Sequence, residues 1–301
     1  QVRIQSLTHE LDVRLISGLD GTIKNSDSNY NEKFWKAVSS LQQDGRSGLI
    51  SETKKTKFRV ATGSITKCEK AAFVTHRAKK KRVSSSSSFQ LKAGEEATVY
   101  KQVAILSSRY YAMDDLEAEL EQKLDQLDEL DYHLQLAEHK ASWLAKWEES
   151  DIEIKGDTAA QQAIRFNIFQ LNCTYSGEDE RLNIGPKGFT GEKYGGSTCW
   201  DTEAYCLPFY MSTADERVAR NLLIYRYRHL QKAIENAALL GFSKGAALYP
   251  MVTMNGEECH NEWEITFEEI HRNGAIAYAI KDYIRYTGDQ AYMREYGLEV
   301  L

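Results

Sequence analysis

The residues best suited to chemistry lie at the end of a glycine-rich segment, where Trp200 and Asp201 stand side by side. Six glycines occur between residues 177 and 196, together with Pro186, so this segment is predicted to be a loop. An indole ring can cover the apolar face of a sugar while a neighbouring carboxylate accepts hydrogen bonds from its hydroxyl groups. The pair therefore indicates a sugar-binding site. Composition alone favours the alternative, a structural loop in which Asp201 caps the following helix and Trp200 joins the core.

A second loop, 243–266, leads into another predicted helix. Ionisable side chains are dense in the last part of this loop and at the start of that helix. They are Glu257, Glu258, His260, Glu262, Glu264, Glu268, Glu269 and His271. Paired carboxylates can cleave a glycosidic bond, one as acid and the other as base or nucleophile, but several are expected only to favour a helix start. No metal site is expected, because HNEWE at 260–264 lacks the HExxH spacing.

The first third of the chain has the pattern of β-strands. Residues 1–107 alternate apolar and polar side chains in short runs separated by Gly, Asn, Asp and Ser, which predicts antiparallel strands. Residues 30–41 break the pattern and are predicted to form a short helix or a long loop. The basic and serine-rich run at 79–88 could be a nucleic-acid patch. Because no aromatic side chains interleave with the basic ones, we predict a solvated hairpin connection there instead.

The remainder of the chain has a helical pattern. Leucines recur at steps of three and four through residues 113–149, which predicts one long amphipathic helix. A helix packed between two domains is favoured over a coiled coil, because the heptads are few. Further helices are predicted near 159–175, from Thr202, over 215–241, over 267–288 and from Asp289. Helices that alternate with long loops predict a helical toroid whose loops build a pocket at one end.

Charge and cysteine content exclude several classes of function. The formal net charge of the 301 residues is −6, so no global field indicates a nucleic-acid or membrane partner, and no apolar run has the length of a membrane span. The five cysteines are Cys68, Cys173, Cys199, Cys206 and Cys259. An odd number without CxxC spacing predicts free thiols in a reducing compartment, the cytoplasm. Both ends resemble cuts within a longer chain, since the first residues have the character of a strand and the last of a helix.

Several strings resemble the phosphorylases of glycoside hydrolase family 65, most densely over residues 147–287. The strings are NIGPKGFTGEKYGG, WDTEA, LLIYRYRHL, GAALYPMVT and GEECHNEWEITFEEIHRNGAI. The resemblance implies an α+β multidomain fold. It comprises the C-terminal part of an N-terminal β-sandwich at 1–107, a helical linker at 108–157, and the first part of an (α/α)6 barrel at 158–301.

The resemblance also implies a reaction, the inverting phosphorolysis of maltose to β-D-glucose 1-phosphate and D-glucose. Phosphate would be the co-substrate, with no cofactor, and the protein would be a cytoplasmic homodimer. Trp200 and Asp201 match the pair that binds the glucose unit being cleaved. The family's general acid, a glutamate, would lie beyond Leu301, so none of Glu258, Glu262, Glu264 and Glu269 is expected to be that acid. The chain by itself is expected to be inactive and to fold poorly.

The residues expected to line the pocket are drawn from both loops. They are Lys187, Lys193, Tyr194, Glu203, His260, Asn261, Glu262, Trp263 and Glu264. Two alternative functions remain open. One is a phosphorylase for another glucose disaccharide, namely trehalose, nigerose or kojibiose; the other is a carbohydrate-binding or scaffold protein without catalysis.

Overall fold

The computed structural model describes residues 1–22, 33–43, 45–73, 75–79, 81–185, 197–259 and 264–301. The chain divides into two compact units, Gln1–Lys140 and Ala141–Leu301. Strands fill most of the first unit and helices the second, so the α+β composition predicted from the sequence is confirmed.

Among the described residues of the first unit, eight antiparallel strands form two sheets. The strands are β1 (Val2–Gln5), β2 (Leu11–Asp20), β3 (Trp35–Gln43), β4 (Arg46–Thr53), β5 (Arg59–Cys68), β6 (Thr75–Lys79), β7 (Arg82–Leu91) and β8 (Glu96–Ser107). One sheet has the order β1-β8-β5-β4-β3 and the other β2-β7-β6. Side chains join the two sheets, for example by a 2.6 Å hydrogen bond between Ser17 Oγ and Thr66 Oγ1 and one of 2.5 Å from Gln42 Nε2 to Ser85 Oγ.

Two predictions for the strand region, residues 1–107, were wrong. Residues 35–41, expected in a helix or loop, belong to β3, which pairs with β4; cross-strand pairing overrides the ambiguous local pattern. The serine run at 84–88 is not in a hairpin connection but in the middle strand of a sheet, paired with β2 and β6. β7, which contains this run, begins at Arg82, three residues after the end of β6 at Lys79.

The helix predicted over 113–149 is two helices, α1 (Leu116–Glu129) and α2 (Tyr132–Ser150). The break occurs because the Asp131 side chain accepts a 2.9 Å hydrogen bond from the Leu134 amide and so starts a new helix. Three leucines of α1, at spacings of four, are buried against the five-stranded sheet. β5 approaches them so closely that a Cβ on Gly63 would lie 2.8 Å from Leu120 Cδ1.

The second unit is built from helices. They are α3 (Thr158–Thr174), a π-helical turn (Thr202–Cys206), α4 (Leu207–Thr213), α5 (Glu216–Arg228), α6 (Leu230–Leu239), α7 (Ile265–Glu268), α8 (His271–Thr287), α9 (Gln290–Tyr292), a second π-helical turn (Met293–Gly297) and α10 (Leu298–Val300). The single helix predicted over 215–241 is divided at His229, whose backbone is not helical. Its predicted stop is confirmed, because Gly241 adopts φ +83° after α6.

The core of the second unit lies between α4, α5 and α8. α5 is buried along nearly its whole length, and α8 presents Ile276, Ile280 and Tyr283 to the same cluster. A hydrogen bond of 2.8 Å from Tyr210 Oη to the Leu171 carbonyl ties α4 to α3. These helices form a fixed base for the turn that carries Trp200 and Asp201.

We expect Leu124→Ala to lower the free energy of unfolding by about 2–5 kcal/mol, because it opens a cavity where α1 packs on the sheet. Leu134→Ala is the matched control: this leucine is 55% exposed, and its truncation should change stability by no more than about 0.5 kcal/mol. Urea denaturation of both variants checks the packing. Equal losses of unfolding free energy in the two variants would contradict this packing.

Candidate functional site

The two loops that the sequence singled out meet in the structure. Thr198, two residues before Trp200, pairs with Thr253 of the second loop through two backbone hydrogen bonds of 2.7 and 3.0 Å. Both threonines are buried. The chain then turns through Trp200 and Asp201 into the π-helical turn and α4. π-Helical turns occur often at functional sites, so the junction is a candidate site on geometric grounds.

Trp200 lies against the helix that follows the second loop. The His271 ring stands edge-on to the indole at 5.0 Å and 87°, and the exposed Tyr205 ring lies 6.0 Å away. Trp200 itself is half-buried. An indole fixed by one neighbour and still partly open can pack against a sugar ring.

Asp201 does not cap the helix as predicted. It occupies the cap position, but its side chain makes no capping hydrogen bond. The physical reason is its backbone, which is helical at φ −54° and ψ −29°, whereas side-chain capping requires an extended cap residue. The half-buried carboxylate is therefore not used by the helix and can accept hydrogen bonds from a ligand.

Glu203 forms a buried ion pair with Arg226 of α5. Their side chains are 0% and 2% exposed. Arg226 donates from Nε and Nη2 to the two carboxylate oxygens at 2.7 and 2.8 Å, which is a bidentate contact. Burial would lower the pKa of Arg226, but the charge and hydrogen bonds of Glu203 outweigh it and raise that pKa above its usual range. Glu203 was expected to line the pocket; in the structure its carboxylate is buried in the ion pair with Arg226.

Two further contacts fix the ends of the turn. Arg226 Nη2 also donates a 3.1 Å hydrogen bond to the Cys199 carbonyl. Thr202, which is fully buried, donates from Oγ1 to the Ile184 carbonyl at 2.5 Å. The residues on both sides of Trp200 and Asp201 are thus held by the protein interior.

The described glutamates in and just after the second loop differ in their contacts. Glu258 accepts hydrogen bonds from the amides of Met251 at 2.6 Å and Val252 at 3.1 Å, so it stabilises its own loop. Glu269 lies 3.6 Å from His271 Nε2 and 3.8 Å from Arg272 Nη1. Glu264 is exposed at the start of α7.

Seven of the residues predicted to line the pocket lie outside the described residues. They are Lys187, Lys193, Tyr194, His260, Asn261, Glu262 and Trp263. Within the described ranges, no group of three or more His, Cys, Asp or Glu side chains is placed to hold a metal ion. None of the helices in the same ranges has the length and apolar character needed to cross a membrane.

Arg226 is the residue that the sequence analysis missed. It lies in the apolar run LLIYRYRHL, four positions after Leu222, on the buried face of α5. A cation on an apolar helical face needs a buried anion. That signal could have identified Arg226, although not its partner, which lies 23 residues earlier in the chain.

Comparison with known families gives two matches that cover most of the chain. The model described as "Glycosyl hydrolase family 65, N-terminal domain" matches residues 1–146. The model described as "Glycosyl hydrolase family 65 central catalytic domain" matches residues 165–301. The junction that carries Trp200 and Asp201 lies within the second match.

Comparisons with individual proteins find similarity to phosphorylases. The maltose phosphorylase of Bacillus subtilis (strain 168) is 46% identical over 99% of this chain and 39% of its own length. The alpha,alpha-trehalose phosphorylase of Geobacillus stearothermophilus is 41% identical over 55% of this chain and 21% of its own. The solved structure "Putative kojibiose phosphorylase from human microbiome" is 27% identical with a TM-score of 0.85, over 97% of this chain and 38% of that one. The chain thus spans about two fifths of the length of the first of these relatives.

The segment that joins α5 to α6 gives a testable pH dependence. His229 packs edge-on against Tyr225 at 4.4 Å, and the site's second loop approaches so closely that a Cβ on Gly256 would lie 2.7 Å from its ring. Burial, with the positive charges of Arg226, Lys232 and Arg228, lowers the pKa of His229 to about 4.

We expect the free energy of unfolding to fall as pH drops from about 6.5 to about 4, because the unfolded state binds a proton there that the folded state does not. His229→Gln should make this pH dependence shallower. Denaturant titrations of both proteins at several pH values in this window measure the difference. Identical slopes would show that His229 is not buried as a neutral group.

Proposed function

Because this chain belongs to glycosyl hydrolase family 65, we propose that the whole protein is a disaccharide phosphorylase that cleaves maltose. The observation that carries the proposal is the Trp200-Asp201 pair. An indole open on one side adjoins a carboxylate that the helix does not use. We assign this pair to the glucose unit whose bond is broken, with the ring against the sugar face and the carboxylate on its hydroxyl groups.

The reaction needs no base. The bond between C1 and the bridging oxygen breaks with its electron pair on the oxygen, and a neutral carboxylic acid gives that oxygen a proton. A phosphate oxygen, already anionic, bonds to C1 from the opposite face, so the product is β-glucose 1-phosphate. In this proposal the acid is a glutamate beyond Leu301, phosphate is the co-substrate and no cofactor takes part.

The architecture of the whole protein is part of the same proposal. Residues 1–107 would be part of an N-terminal β-sandwich, 108–157 a helical linker, and 158–301 the first part of an (α/α)6 barrel. The family resemblance supports this division. We further propose, on that resemblance, a cytoplasmic homodimer whose small-molecule partners are maltose, glucose and phosphate, with no nucleic-acid or membrane partner.

Maltose is preferred over other disaccharides because the relative named for it matches across the whole chain at 46% identity. The trehalose relative matches at 41% over little more than half of the chain. Kojibiose and nigerose phosphorylases also match, at 32% and 25% identity, which keeps a phosphorylase of different linkage as the second candidate. A carbohydrate-binding protein without catalysis is the third.

One assay separates these candidates. The whole protein is incubated with phosphate and, in turn, maltose, trehalose, kojibiose and nigerose, and glucose 1-phosphate is measured. We expect the highest kcat/KM with maltose. A higher kcat/KM with another disaccharide would show that this disaccharide, and not maltose, is the preferred substrate. Sugar binding without release of glucose 1-phosphate from any of the four would support the non-catalytic alternative.

The sugar-binding pair gives a prediction. We expect Trp200→Ala and Asp201→Asn each to cost about 1–3 kcal/mol of transition-state stabilisation, or roughly five- to 150-fold in kcat/KM for maltose. Asp114→Asn is the control, because its side chain is 98% exposed in the first unit; it should leave kcat/KM unchanged. If both site variants cleaved maltose like the parent, the pair would not bind the sugar.

The glutamates of the second loop give another prediction. We expect Glu258→Gln, Glu264→Gln and Glu269→Gln to retain the limb of the pH–rate profile at which the general acid loses its proton, since none of these glutamates is that acid. A variant that lost this limb but still turned over α-glucosyl fluoride, whose leaving group needs no proton, would identify its residue as the acid. That result would overturn the assignment of the acid to a position beyond Leu301.

A further inference from the structure

One guanidinium contacts the chain on both sides of the Trp200-Asp201 pair. Arg226 Nη2 donates to the carbonyl of Cys199, the residue before the pair. Arg226 Nε and the same Nη2 donate to the carboxylate of Glu203, two residues after the pair. A single rigid side chain therefore fixes the distance between the two ends of the segment that carries the indole and the carboxylate.

The geometry requires an arginine. Its planar fork can serve both carboxylate oxygens and a carbonyl at once, whereas the ammonium of lysine is a single point from which three donors diverge. The fork is itself anchored, because α5 is buried around it and Tyr249 Oη donates a 3.2 Å hydrogen bond to the Arg226 backbone carbonyl. The turn is thus tied to the most deeply buried helix of its unit.

Stability alone does not explain the pair. Taking two charges out of water costs several kcal/mol per ion, and a well-packed apolar pair of similar volume often serves as well or better. An apolar pair, however, would leave the Cys199 carbonyl without its donor and the turn without a directional contact. The hydrogen bonds of Arg226 fix the orientation of the turn, which apolar packing alone would not specify.

We propose that Arg226 is a positioning residue, which orients the Trp200 ring and the Asp201 carboxylate by holding Cys199 and Glu203 together. The inference rests on the proposed function, since it assigns a task within the glucose-binding site. Arg226 does not touch the sugar in this account. It contacts Cys199 and Glu203, which flank the two residues that do.

The experiment uses the whole protein and four variants. Arg226→Met combined with Glu203→Met removes both charges and keeps the volume. Arg226→Lys keeps the charge but loses the fork. Arg228→Met is the matched control two residues along α5, because its ion pair with Glu180 is exposed. Trp200→Ala shows the effect of losing the contact between the indole and the sugar. Melting temperature, kcat, KM for maltose and KM for phosphate are measured for each.

We expect the double variant to keep its melting temperature within a few degrees and to lose about ten- to 100-fold in kcat/KM for maltose, since small misplacements of binding groups have effects of this size. KM for phosphate should not change. Arg226→Lys should fall between the double variant and the parent, and Arg228→Met should match the parent.

The outcomes separate the two claims. If the unaltered protein makes no glucose 1-phosphate, the proposed function fails. If the unaltered protein is active and the folded double variant keeps kcat/KM for maltose within twofold, the positioning role is wrong. Should the double variant not fold, Arg226→Lys decides: a folded lysine variant with parental kinetics overturns the inference, and one with a raised KM for maltose supports it.

Discussion

The candidate site depends on the buried ion pair between Arg226 and Glu203, in which neither charge would be stable without the other. Arg226 and Glu203 are almost completely buried, and an isolated ion in such a place would be far less stable than in water. Each is tolerated because the other is 2.7–2.8 Å away in a bidentate contact. This requirement fixes α5 relative to the π-helical turn, and through the Cys199 carbonyl it fixes the start of that turn as well.

Four successive residues at this turn have different partners. Trp200 contacts His271, Thr202 binds the Ile184 carbonyl and Glu203 binds Arg226, whereas the Asp201 side chain makes no capping hydrogen bond with the helix it precedes. Two of the four are buried and anchor the turn, which leaves the other two partly exposed on a rigid support. A rigid support for binding groups is what a sugar site requires, because ordering them on binding would cost affinity.

The sequence predicted the general composition of the molecule better than its local detail. Alternating runs in the first third and helical periodicity afterwards are strong signals, and the helix stop at Gly241 followed from a backbone conformation that glycine adopts readily. The strand at β3 and the pairing of the serine run depend on partners distant in the chain, which local patterns do not contain. Trp200 and Asp201 were found because their types suit a sugar. Arg226 was missed because its meaning depends on a carboxylate from another element.

The central claim is that the Trp200-Asp201 pair, held by Arg226, binds the glucose unit that is cleaved. A crystal structure of the whole protein with glucose bound tests it most directly. The account predicts a sugar ring packed on the Trp200 indole, at least one hydroxyl group within about 3.2 Å of an Asp201 carboxylate oxygen, and unchanged contacts from Arg226 to Cys199 and Glu203. Glucose bound elsewhere, with the indole and the carboxylate both in contact with water alone, would contradict it.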